Sequence, residues 1–389
     1  MEQWKQYNIG EICDTISETY KGNASDVVLI NTSDVLEGKC LNHTFVANKN
    51  LRGQFKKQFK KNDILYSEIR PANKRYAFID FESTDYIAST KLMVIRSNDK
   101  VLPKYLYYVL QSKEMVEVLQ MLAESRSGTF PQITFSELAI QTILLPEIRE
   151  QSKIVDFLES IDSKIALNRR INDNLEQQAQ ALFDYYFSAD SKYLSDSERG
   201  VLTNIAVYLN GLAMQKFPPT DSEHSLPVLK IKELGQGKCD NNSDRCSNDI
   251  DSNYVIDNGN IIFSWSGTLM VDVWCGGKCG LNQHLFKVTP LKDYPQWFIY
   301  YWTIRHLNTF KLIAKDKAVT MGHIKRGDLE KAEVIIPNRY SLVEMNAQIE
   351  PLYQSIINNR LQIAELETLR DALLPRLMSG ELKINDLNC

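Results

Sequence analysis

Much that would mark an enzyme, a membrane protein or a secreted protein is missing from this chain. No G-x-x-x-x-G-K-[ST] run occurs: "EGK" (37–39) and "QGK" (236–238) lack the upstream glycine, so no loop is built to cradle a nucleotide phosphate. No Asn/Asp-Pro-Pro-aromatic run is present for holding a base amine, and "FPPT" (217–220) has the wrong first residue. No apolar stretch approaches the roughly 18 residues a membrane span needs. The opening "MEQWKQYNIGEICD" has no basic end followed by an apolar run, so a secretory leader is not expected. Seven cysteines in 389 residues are too few and too scattered for a disulfide framework, and reduced thiols in the cytoplasm are the expectation. Cys239, Cys246, Cys275 and Cys279 have C-x6-C and C-x3-C spacings that fit a zinc ribbon poorly. The Asp/Asn-rich stretch between them lacks the calcium-loop pattern. Asp26 with Glu37 and Lys39 loosely fits a nuclease triplet, but a chain that is 24% charged produces such triplets by chance. No metal and no catalytic group is therefore expected.

Strong basic charge is lacking too, since the net charge is -4. Its distribution is more telling than its sum. Residues 1–146 carry 18 basic and 17 acidic side chains, and residues 191–337 carry 17 and 16. Residues 147–190 (5 basic, 9 acidic) and 338–389 (5 and 7) hold all of the excess. Near-neutral and acidic blocks alternate, which suggests a duplication.

Self-comparison supports it. "NDILYS" (62–67) matches "GNIIFS" (259–264), an apolar strand after a polar turn in both. "PKYLYYVL" (103–110) matches "PQWFIYYW" (295–302), each a proline-led aromatic helix start. "TFPQITFSEL" (129–138) matches "TMGHIKRGDL" (320–329), and "ILLP" (143–146) matches "VIIP" (334–337), both at an offset of 191. A globular unit followed by a helix thus occurs twice.

The two helices keep one register. Ile154, Leu158, Ile161, Ile165, Asn168, Asn172, Leu175, Ala179 and Leu182 step by fours and threes. Met345, Ile349, Leu352, Ile356, Asn359, Ile363, Leu366, Arg370 and Leu373 repeat those steps at the same offset. A 3.5-residue period over about four heptads predicts coiled-coil packing, with Asn168 and Asn359 able to fix register and orientation. A helical hairpin inside one domain is the alternative. Residues 147–183 would span roughly 55 Å at 1.5 Å per residue, long enough to act as a ruler. The ending "LRDALLPRLMSGEL" (369–382) reads as a helix, a break at Pro375 and a glycine stop at Gly380.

The expected fold is α+β. Two similar α/β globular domains are separated by two long antiparallel coiled-coil helices, in a pseudo-two-fold internal repeat. The boundaries are residues 1–146 for the first domain, 147–190 for the first spacer helix, 191–337 for the second domain, and 338–389 for the second helix and tail.

The order unit–helix–unit–helix, the ending "LLPRLMSGEL" and the stretches "WSGTLMVDVW", "LNQHLFKV" and "TMGHIKR" resemble the specificity subunit of type I restriction–modification enzymes. The resemblance spans essentially the whole chain. It implies a non-catalytic, DNA-binding subunit whose two target recognition domains each read one half of a split, asymmetric DNA site. It implies spacer helices that dock two methyltransferase subunits, which bring restriction and motor subunits. S-adenosylmethionine, ATP and magnesium would then belong to those partners, with no cofactor on this chain. The rival readings are a stand-alone site-specific nuclease and an assembly scaffold that no longer reads DNA.

Candidate DNA contacts follow from residue type. "RGQFKKQFKK" (52–61) sets Arg52, Lys56, Lys57, Lys60 and Lys61 around Phe55 and Phe59, which suits phosphate contact or, equally, a solvated face over buried aromatics. "SEIRPANKRY" (67–76) adds Arg70, Lys74 and Arg75 on a loop after a strand. The paired stretches 124–134 and 315–325, read as loops joining an amphipathic helix to an apolar strand, offer Arg126, Thr129, Gln132 and Thr134, then Lys315, Lys317, Thr320, His323, Lys325 and the adjoining Arg326. Gly128 in the first loop becomes Val319 in the second, so their turns are expected to differ. Ser266, Gly267, Asn282, Gln283 and His284 match the family pattern, although Asn and His beside a strand are often just satisfied structural groups. The bases read and the gap between half-sites do not follow from sequence.

Overall fold

The computed structural model describes residues 4–49, 51, 53–126, 129–316 and 322–384. Packing divides the chain into two units, Met1–Ser163 with Glu367–Cys389, and Lys164–Leu366. Each long helix is shared between them.

The first unit begins with β1 (Lys5–Asn8), β2 (Cys13–Ile16), β3 (Asp26–Ile30) and the small hairpin of β4 (Val35–Leu36) and β5 (Lys39–Cys40). There follow β6 (Phe45–Ala47), β7 (Phe55–Gln58), β8 (Ile64–Ser67), β9 (Tyr76–Phe78), β10 (Tyr86–Ser89), β11 (Leu92–Ser97) and, after the helices, β12 (Thr142–Leu145). They form sheets of order β2-β11-β8-β9 and β6-β3-β10-β7, and β1 pairs with β12. The runs "VVLI" and "ILYS" are strands because β-branched and aromatic side chains pack well on a pleated surface, and here both faces are covered. Helix α1 (Pro103–Gln111) starts at a proline, which needs no N–H at that position, and buries Tyr105 to Leu110. It leads into α2 (Lys113–Arg126) and the single-turn α3 (Phe135–Ala139).

Helix α4 (Ile148–Tyr186) leads to the second unit. There β13 (Glu198–Val201), α5 (Leu202–Ile205), β14 (Ala206–Asn210), β15 (Ser225–Leu229), α6 (Ile231–Gln236), β16 (Arg245–Ser247) and β17 (Val255–Ile256) come first. Then follow β18 (Ile261–Ser264), β19 (Met270–Val273), β20 (Cys279–Leu281), β21 (Leu285–Pro290), α7 (Gln296–Asp316), α8 (Arg326–Leu329), β22 (Glu333–Ile336) and α9 (Arg339–Met378). The sheets run β14-β21-β18-β19 and β16-β15-β20-β17, and β13 pairs with β22. Apart from the β4–β5 hairpin, this is strand by strand the order of the first unit. A parallel pair recurs as well, β3 beside β10 and β15 beside β20. The polar turn before β8 and β18 is likewise the same: Asn62 and Gly259 both have positive φ, and Asp63 and Asn260 each accept the backbone N–H three residues back. The duplication read from sequence is therefore a duplication of topology.

The coiled-coil seam is present in both units. In the second, Asn168 donates to Gln362 (2.7 Å), Asn359 donates to Asn172 (2.9 Å), and Asn172 donates to the Ile356 carbonyl (3.2 Å). Partner numbers fall as α4 numbers rise, so the helices are antiparallel. In the first, Arg370 bonds Asp162 (2.9 Å). Ile154, Leu158, Ile161, Ile165, Ala179, Met345, Ile349 and Ile356 are buried, while Leu175, Leu182, Leu352, Ile363, Leu366 and Leu373 are half-buried.

Each unit's core is completed by the end of the other repeat's helix. Ile154 and Leu158 from the start of α4 lie in the first core, joined by Leu374 and Leu377 from the end of α9. Met345 and Ile349 from the start of α9 lie in the second core, with Phe183, Tyr186 and Phe187 from the end of α4. The break expected at Pro375 does not occur: α9 continues to Met378. Proline removes one helix hydrogen bond, but burial of Leu374 and Leu377 holds the last turn in place. The chain then turns at Gly380, with φ at +74°, where a Cβ would lie 3.0 Å from the Trp4 ring. Only glycine suits both demands. Among the described residues no helix is long and apolar enough to cross a membrane.

Leu377→Ala removes a fully buried side chain and should destabilise the first unit by about 2–5 kcal/mol. Hydrogen exchange should show faster opening at Tyr105–Leu110 and unchanged protection at Trp297–Trp302. Equal loosening of both segments would contradict the exchange of helix ends.

Candidate nucleic-acid interface

The basic segment before β8 is split by strand geometry. Phe59 is buried and Phe55 half-buried, so the aromatics face the core. Lys56 and Lys60 are exposed. Lys57 points the other way, as the two-residue strand period requires, and its ammonium donates to the Leu92 carbonyl at 2.8 Å. Burial lowers the Lys57 pKa below the usual lysine value. Lys61 pairs with Glu82 at 3.7 Å. Arg52 lies outside the described residues, as do Gly128, Lys317, Val319 and Thr320.

The loop after β8 is held by several hydrogen bonds. Arg70 and Lys74 flank a single 3-10 turn, both with positive φ (44° and 52°), a costly backbone for such side chains. The turn is held against α2 by the bond from Ala72 N–H to Gln120 (3.0 Å). Lys74 reaches Glu37 (3.3 Å), and Arg75 spends its guanidinium on the carbonyls of Ser33 and Val35 (3.0 and 3.4 Å). Arg70 keeps an exposed side chain.

The paired stretches after α2 and α7 do not run straight into a strand. A one-turn helix intervenes in each, α3 and α8, because each carries a carboxylate that caps its own first turn. Thr134 donates its hydroxyl to Glu137 (2.9 Å) and its backbone N–H to the same carboxylate, while the Lys325 N–H goes to Asp328 (2.7 Å). Thr134 thus acts as a helix cap. Arg126 is drawn to Glu137 (3.1 Å) and Arg326 to Glu330 (3.8 Å). Thr129, Lys315 and Lys325 are exposed.

Ahead of those helices the loop joins the segment following the central strand. In the first unit Arg70 N–H bonds the Pro131 carbonyl (3.1 Å) and Ile133 N–H bonds Glu68 (2.8 Å). In the second, Gly267 N–H bonds Gly322 (3.0 Å) and Ile324 N–H bonds Trp265 (3.1 Å). Ile69 faces Gln132 and Ser266 faces His323 in these bridges. Gly322 is obligatory, since a Cβ there would meet the Ala314 carbonyl oxygen at 2.6 Å. Ser266 and Asn282 are buried, Gln283 accepts from Asn282 (3.0 Å), and His284 Nδ1 is buried without a hydrogen-bond partner.

Strand pairing also brings up groups that residue type alone did not single out. Lys91 donates to Gln132 (3.0 Å) and lies 3.8 Å from Glu68, while Trp265 donates to Asn210 (2.9 Å). Their signal in the sequence was position: Glu68 and Trp265 each follow the serine that ends the repeated strand. Among the described residues no group of three or more His, Cys, Asp or Glu side chains is placed to hold a metal.

Lys56 and Lys60, exposed on either side of the half-buried Lys57, are the candidates for phosphate contact in this segment. Replacing Lys56 and Lys60 by alanine should weaken DNA binding for all sequences alike and reduce the salt slope by roughly two, in titrations at several ionic strengths. Lys57→Ala should leave the slope unchanged and lower thermal stability. A slope that responds only to Lys57 would reverse these roles.

The family model described as type I restriction modification DNA specificity domain matches twice, over residues 1–177 and 196–368. The chain is 31% identical to the specificity subunit of the type I restriction enzyme HindI of Haemophilus influenzae, over 98% of this chain and all of that one. It is 27% identical to the specificity subunit of the type I restriction enzyme MjaIX of Methanocaldococcus jannaschii, over 74% and 71%. Among solved structures, the S subunit of the type I restriction-modification system of M. genitalium is similar in fold, with a TM-score of 0.56 at 15% identity over 97% of this chain and 96% of that one.

Proposed function

Because the chain belongs to the family of type I restriction modification DNA specificity domains, we propose that it is the DNA-specificity subunit of a type I restriction–modification complex. It reads a bipartite, asymmetric site, one half with each unit. The observation that carries this reading is the duplicated topology bearing unlike surface side chains: two readers of one design with two preferences. The chain supplies no chemistry. Two methyltransferase subunits dock on it with S-adenosylmethionine, and restriction and motor subunits join with ATP and magnesium, all in the cytoplasm. Neither globular stretch is appreciably basic, so the chain alone holds DNA weakly and depends on those partners for affinity.

The paired helices set the gap between half-sites. Glu176 is bonded to Arg360 and Asn172 to Asn359, so length added to one helix must be matched in the other. The test is methylome sequencing of cells that express the chain with its methyltransferase. Exchange of residues 1–146 for the equivalent stretch of a relative should change one half-sequence only; a change in both would refute independent readers. Insertion of one heptad after Ser163 and another after Leu366 adds about 10.5 Å at 1.5 Å per residue, with only about 20° of rotation. At 3.4 Å per base pair the gap should widen by about three base pairs, with both half-sequences kept. An active complex with the original gap would remove the spacer role.

A further inference from the structure

Three segments meet at the end of the central strand in each unit, and their backbone bonds are the same in both. Glu68 N–H bonds the Lys91 carbonyl (3.1 Å), and Trp265 N–H bonds His284 (3.4 Å). Ile133 N–H returns to Glu68, as Ile324 N–H returns to Trp265. Arg70 N–H bonds Pro131, as Gly267 N–H bonds Gly322. The serine hydroxyl below also repeats: Ser67 donates to the Ile69 carbonyl (3.3 Å) and Ser264 to Ser266 (3.2 Å). This frame places one residue from each segment side by side: Glu68, Lys91 and Gln132 in the first unit, Trp265, His284 and His323 in the second.

All three side chains differ between the units. The first set is a carboxylate, an ammonium and an amide in contact, with Lys91 Nζ 3.0 Å from Gln132 Oε1 and 3.8 Å from Glu68. The second is an indole with two imidazoles, ring centres 6.1 Å (Trp265–His284) and 6.3 Å (Trp265–His323) apart. Neighbouring core positions keep their character across the repeat, as Ile64, Leu65 and Tyr66 do in Ile261, Ile262 and Phe263. A frame held fixed while every side chain on it changes is the mark of a position selected for what it presents. None of the six is fully buried: Lys91 is exposed and the other five are half-buried.

We propose that Glu68–Lys91–Gln132 and Trp265–His284–His323 are the base-selecting triplets of the two half-sites. This rests on the DNA-reading function proposed above and assigns that reading to three positions per unit. Side chains carried on a hydrogen-bonded backbone frame are what discrimination of base edges requires, since a loosely held donor forms its bond with either base. The bond from Lys91 occupies the Gln132 carbonyl, which leaves its NH2 as the group to present. The first triplet therefore offers two donors and one carboxylate acceptor. The second sets two imidazoles beside an indole whose apolar face suits a methyl-bearing base.

The test uses the chain assembled with its methyltransferase, acting on DNA libraries randomised in either half-site. Gln132→Glu keeps the shape and turns a donor into an acceptor, so it should change the preferred base at one position of one half-site. Gln132→Ala should lower discrimination there by about 5- to 150-fold. His323→Gln should do the same in the other half only. The triple variant Glu68→Trp, Lys91→His, Gln132→His should move the first half-site's preference toward that of the second. Variants that weaken methylation equally on all sequences, with preferences unaltered, overturn the triplet assignment. A wild-type complex with no bipartite preference overturns the function as well, so the two failures are distinct.

Discussion

The dependence of each core on the end of the other repeat's helix is the constraint from which the rest of the molecule follows. Phe183, Tyr186 and Phe187 belong by sequence to the first repeat and by packing to the second, and Leu374 and Leu377 do the reverse. Neither repeat closes a core with its own residues. Burying these side chains stabilises each unit by several kcal/mol, and it ties the two long helices into one antiparallel pair. It also explains why the final helix runs through a proline and stops where Gly380 passes the Trp4 ring.

A duplicated chain has to prevent each helix end from docking in its own repeat, and the polar groups along the seam are placed to do so. Asp162 accepts from the Tyr108 hydroxyl (2.7 Å) and from Arg370 (2.9 Å). Burial works against the Arg370 charge, but the bond to Asp162 and the nearby carboxylates outweigh it, so its pKa is raised. At the offset of 191, Asp162 corresponds to Tyr353 and Arg370 to Ala179. The end of α4 set in the first core would leave Asp162 without its cation, and the end of α9 set in the second would bring Arg370 against a tyrosine. Arg360 ties α9 into the second unit, bonding Asp272 (2.5 Å) and Glu176 (2.9 Å). The seam asparagines add cross-helix bonds that fix register.

How far the sequence could be read depended on the range of the interaction. Helix periodicity and the repeated strand are local signals, and Asn168, Asn359, "ILYS" and "IIFS" all stand where those signals put them. Pro375 misled because its local preference is overridden by burial of its two neighbours. The loops before β12 and β22 concealed one-turn helices because Glu137 and Asp328 look like ordinary surface acids until they cap Thr134 and Lys325. Among the candidate contacts, residue type could not separate Lys56 from Lys57, which strand alternation turns to opposite sides. Lys91 and Trp265 were not singled out because only non-local pairing brings them beside Gln132 and His323.

The helix-end exchange also dictates an order of events during synthesis. When Leu158 leaves the ribosome, the residues that complete the first core lie about 220 positions ahead, a delay of roughly 11–44 s at 5–20 residues per second. Throughout that interval the nascent chain presents an apolar face around Leu158 and Leu119 that nothing of its own yet covers. The second unit has no such wait, since Phe183 and Phe187 precede the strands they pack against. The domain made first is thus the one finished last, closed only once Leu377 has been made.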